Sequence, residues 1–113
     1  MLPVHQQTVQ VWLIPDNLYT SIQLYEEAWA KCTQIYGRFH LLSARIRHNQ
    51  GVAYEDAKQT KNAYEHYKES FLIKYVIFGL KHEMTQKTLK VLEKRCYKKW
   101  FNEYELIALA QRQ

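Results

Sequence analysis

The chain has 113 residues, enough for one domain, and its 47% apolar and 24% charged fractions are those of a globular protein rather than a disordered or membrane one. Its longest apolar run, 71–80, is interrupted by Lys74 and would rise only ~15 Å as a helix, about half of a bilayer core. No transmembrane helix is expected, and the first ten residues lack the basic and apolar regions of a secretory signal, so the expected location is cytoplasmic.

In chain order, residues 7–14 alternate apolar and polar as far as Val11, which predicts a short N-terminal extended arm over 1–15. Pro15, Asp16 and Asn17 then mark a helix start, because either polar side chain can accept from the free amides of a first turn. Leu18, Ile22, Tyr25, Trp29, Cys32, Tyr36, Phe39, Ser43 and Ile46 follow at steps of four and three, the period of a helix that keeps one seam against a neighbour. The stripe predicts one helix over 16–48, with a local bend at Gly37. His48, Asn49, Gln50 and Gly51 read as its stop.

A second helix is predicted over 52–82 on the stripe Ala57, Tyr64, Tyr67, Phe71, Tyr75 and Phe78, with Glu65 spaced to pair with Lys61 and Lys68. From Phe71 onward the segment is apolar almost all round, so protein is expected on more than one side of it. Gly79 and residues 81–84 allow a turn, and Thr85 is a fair cap for a third helix over 85–111 with Leu89, Leu92, Cys96, Trp100, Tyr104 and Ile107 on its apolar side. Together these predict an all-α fold, an up-down-up bundle of three long helices forming one domain over 1–113. Helices of that length make a rod ~45 Å long, which would cover its remaining apolar side by forming a dimer.

The charge is uneven. Lys87, Lys90, Lys94, Arg95, Lys98 and Lys99 face one acidic neighbour, Glu93, while the remaining ten basic and ten acidic residues cancel. On one continuous helix Lys87, Lys90, Lys94 and Lys98 fall within a sector of about 80°, opposite the apolar side, and span ~16 Å. Such a row can meet successive phosphates of a nucleic acid, and Lys in place of Arg favours phosphate contact over reading of base edges. The same row also fits an acidic protein surface or a merely solvated face whose cations suit the helix dipole.

Other chemistry is sparse. The five histidines lack the i,i+4 pairing of a metal site and are expected to face solvent or cap helices, so neither metal nor cofactor is expected. Cys32 and Cys96 lie on apolar stripes and read as small buried hydrophobes. The neighbours Glu26 and Glu27, and Glu55 and Asp56, diverge around a helix and read as surface charge. There is no phosphate loop and no nucleophile elbow, so neither enzyme activity nor a small-molecule substrate is expected. Tyr19, Tyr54 and Tyr97 fall off the main stripes and are expected to be exposed, and Tyr97 would add stacking to a phosphate contact.

These features favour a non-catalytic helical regulator or accessory factor binding nucleic acid or a nucleoprotein complex through Lys87, Lys90, Lys94, Arg95, Lys98 and Lys99. The competing reading is a protein-protein adaptor or inhibitor that covers a partner's surface with its apolar seam or with Val11, Trp12 and Leu13, and a purely structural homo-oligomer comes third.

Overall fold

A computed structural model describes residues 16–113, with side chains from Leu18 onward. The described chain is all helical: α1 Asp16–Tyr36, α2 Leu41–Asp56, α3 Thr60–Phe78, α4 Glu83–Leu92, a 3-10 turn Arg95–Tyr97, and α5 Glu103–Gln111. The expected arm over 1–15 lies outside the described residues. Five helices replace the predicted bundle of three long ones, and extents of 42 × 35 × 21 Å replace the rod.

Each correction has a local cause. The predicted first helix ends early because Gly37 takes φ +82° and its N–H closes on the Thr33 carbonyl at 2.9 Å. His40 then starts α2 by accepting from the Leu42 amide at 3.0 Å. The predicted stop at 48–51 is instead the middle of α2. There Gly51 leaves room for the Tyr67 ring, whose atoms would lie 2.7 Å from any Cβ at that position. The real stop is unmarked by Gly or Asn: Lys58 takes φ 64°, with Lys58 N–H bonding Glu55 O at 3.0 Å and Gln59 N–H bonding Tyr54 O at 2.9 Å. That pair of bonds is the Schellman closure. Gly79, at φ +87°, ends α3 as a turn, and the cap of α4 is His82 rather than Thr85, accepting from Met84 N–H at 3.1 Å.

Helix α3 is the central element, in contact with α2, α4, the 3-10 turn and α5, while α1 packs on α2. Its stripe carries the main core: Tyr64, Tyr67, Phe71 and Leu72 pack with Leu89, Leu92, Tyr97, Leu106 and Ala110. The enclosure expected from Phe71 to Leu80 stops part-way, since Ile73 is buried while Val76 and Ile77 stay exposed. Small residues line the α2–α3 seam, and Ser70 Oγ donates to the Ala44 carbonyl at 2.7 Å. On α1, Tyr19 and Ile22 pack with Ala53 and Ala57, and Arg47 reaches Glu69 at 3.0 Å and Glu26 at 3.7 Å beneath the Trp29 ring.

Candidate anionic-partner surface

The six cations expected on one helical face occupy three local structures. Lys87 and Lys90 sit one turn apart on α4, Lys94 and Arg95 enter the 3-10 turn, and Lys98 and Lys99 follow it. All six are exposed, but they do not form one continuous row. The reason is Tyr97. A continuous helix would leave its ring among the lysines, whereas the break after Leu92 turns it into the core, fully buried between Tyr64 and Tyr67. The expectation of an exposed, stacking Tyr97 is therefore corrected, and Tyr19 is likewise buried.

The break also changes the phase of the last helix. Leu106 and Ala110 enter the core, while Tyr104 and Cys96, expected on the apolar side, are exposed. Asn102 restarts the helix by accepting from the Glu105 amide at 3.0 Å.

Glu55 organises the connector. Its carboxylate accepts from the Tyr97 hydroxyl, from Lys94 Nζ at 3.1 Å and from the Tyr67 hydroxyl at 3.4 Å. Burial, reinforced by this carboxylate, holds both phenols above the ordinary tyrosine pKa. Glu55 is thus not simply surface charge, and Lys94 is neutralised from within. Its partners lie 12, 39 and 42 positions away, so no local signal marked it.

Elsewhere the ion pairs lie on α1, the turn after it, α2 and α3: Glu26, Glu65 and Glu69 take Arg38, Arg47, Lys61 and Lys68. The Lys61–Glu65 and Glu65–Lys68 pairs form at the expected spacing. Among the described residues, Lys87, Lys90, Arg95, Lys98 and Lys99 have no carboxylate within ion-pair distance. Lys99 lies 4.9 Å from the Trp100 ring centre, a cation–π contact at the surface. Five exposed cations without an ion pair thus follow one another along α4 and the stretch after it, with Lys99 beside Trp100.

Val11, Trp12 and Leu13 lie outside the described residues. Among the described residues no group of His, Cys, Asp and Glu is placed to hold a metal ion, and no helix is long and apolar enough to cross a membrane. The chain matches no protein family, no curated protein and no solved structure.

Proposed function

We propose that the chain is a non-catalytic regulator or accessory factor that engages an anionic partner, nucleic acid or a nucleoprotein complex first, through the exposed cations of α4 and the 93–102 connector. One observation supports this reading: in the stretch that holds the net positive charge of the sequence, Lys87, Lys90, Arg95, Lys98 and Lys99 are exposed with no carboxylate within ion-pair distance among the described residues. Four of the five are lysines, suited to phosphate as point charges and to weak sequence preference. Lys94 contributes less, because contact with phosphate competes with Glu55.

Fluorescence anisotropy with mixed-sequence duplex and single-stranded oligonucleotides at several salt concentrations tests this. Five phosphate contacts give a slope of log K against log salt of roughly −4 to −5 on duplex. Lys90→Glu with Lys98→Glu should flatten that slope by about two. Glu55→Gln, which releases Lys94, should steepen it by about one. Binding unchanged in the double variant removes this surface from the reading.

A protein-protein adaptor is the second reading, supported by the exposed apolar residues Ile35, Tyr36, Phe39 and Leu42 around the α1–α2 corner. Binding through that corner would tolerate salt.

A further inference from the structure

The apolar run of α3 contains a lysine at its centre. Lys74 is only 3% exposed, and its Nζ donates to Thr88 Oγ1 on α4 at 2.7 Å. Among the described residues no carboxylate pairs with it. A buried ammonium without a counter-ion opposes folding, and a methionine or leucine would fill the same space at no electrostatic cost.

The charge borders a cleft of about 290 Å³ between α2, α3 and α4, lined by Arg45, His48, Asn49, Lys74, Glu83 and Lys87. Thr88 Oγ1, already accepting from Lys74, also lies 3.3 Å from His48 Nδ1. Burial, then the charges of Lys74 and Lys87, lowers the His48 pKa to about 4, so the ring is neutral at pH 7 and remains a donor. Burial, then Lys87 and Arg45, lowers Lys74 to about 8, which leaves it largely protonated at that pH. The cleft thus holds three cations against the single carboxylate of Glu83, a net charge of two.

We propose that this cleft binds a phosphate group, free or at the end of a larger molecule, with Lys74 at its floor and Arg45 and Lys87 at its mouth. A phosphate monoester near neutral pH carries up to two negative charges and accepts through three oxygens, which complements the charge and the donors of Lys74, Lys87, Arg45 and Asn49. Arg45 and Lys87 reach from different helices, so a bound anion would tie α2 to α4 across α3. The proposal shares Lys87 with the surface proposed above and otherwise rests on different residues.

The test compares the thermal midpoint of the full chain in inorganic phosphate with that in sodium chloride at equal ionic strength, and follows phosphate by 31P NMR titration. Wild type should gain several degrees from phosphate and titrate saturably. Lys74→Met should melt above wild type without phosphate, because the buried charge is gone, and should lose at least tenfold in phosphate affinity. Arg45→Gln, at an exposed position, should melt no lower than wild type without phosphate, since it relieves repulsion on Lys74, and should weaken phosphate several-fold. Lys90→Glu with Lys98→Glu should leave the phosphate response intact, which separates this site from the surface proposed above. Equal midpoints in phosphate and chloride, or an undiminished response in Lys74→Met, would overturn the proposal. Comparing 5′-phosphorylated with 5′-hydroxyl oligonucleotide assigns the source: at least tenfold tighter binding of the former supports a terminal phosphate, and equal binding alongside the inorganic phosphate response supports the free ion.

Discussion

Gly51 and Lys58 show how single residues redirect this chain. In an exposed helix Gly→Ala is stabilising by about 1 kcal/mol, but a methyl at position 51 meets the fully packed Tyr67 ring at 2.7 Å. Overpacking outweighs the propensity gain, so Gly51→Ala should lower unfolding free energy by about 1 to 2 kcal/mol in urea titrations. A more stable variant would show that the ring gives way. Lys58 is the opposite case. Its left-handed backbone is imposed by the Schellman closure, and Lys58→Gly should stabilise by up to about 1 kcal/mol in the same titration. The reading of 48–51 as a stop failed because Gly and Asn are ambiguous: they end helices, and Gly also admits a neighbour.

At the scale of elements, the 93–102 connector decides more than any helix. It buries Tyr97, changes the phase of α5 and attaches both to α2 through Glu55. Tyr97→Phe keeps the ring and removes one hydrogen bond to a carboxylate, for an expected loss of about 1.5 to 3 kcal/mol. Tyr97→Ala empties the position and should cost about 3 to 5 kcal/mol. Similar effects of the two, measured by chemical denaturation, would mean that the ring is not a core residue. The stripe Tyr64, Tyr67 and Phe71 was legible because α3 is continuous through those positions. The seam assigned to 85–111 was not, because its true partition rests on contacts between residues some 30 to 40 positions apart.

For the whole molecule, buried titratable groups set the pH response. Lys74 is lowered from 10.5 to about 8, so the unfolded chain binds its proton more tightly, and this group's contribution to stability rises as pH climbs from about 8 to about 10.5. His48 is lowered from 6.5 to about 4, and stability falls as pH drops through that interval. The groups facing them are Arg45 on α2, Glu83 and Lys87 on α4, Glu55 at the end of α2 and Lys94 after α4. Melting curves of wild type and Lys74→Met between pH 7 and 10 check the first claim: the stability advantage of the variant should shrink with rising pH. A constant gap would mean that Lys74 titrates as it does in water. The raised phenols of Tyr67 and Tyr97 work the other way above pH 10, where the unfolded chain ionises first.

By itself the sequence determined that the described chain is helical, that Tyr64, Tyr67, Phe71, Leu89 and Leu92 are core, and that the net positive charge gathers between Lys87 and Lys99. These follow from period and composition, which are local quantities. Only the tertiary structure decided where the helices end, which lysine finds a carboxylate, and that Lys74 lies without one beside a basic cleft. Those outcomes depend on which surfaces meet, and the free energy of a buried ring or an unpaired charge is set by neighbours that no local pattern encodes.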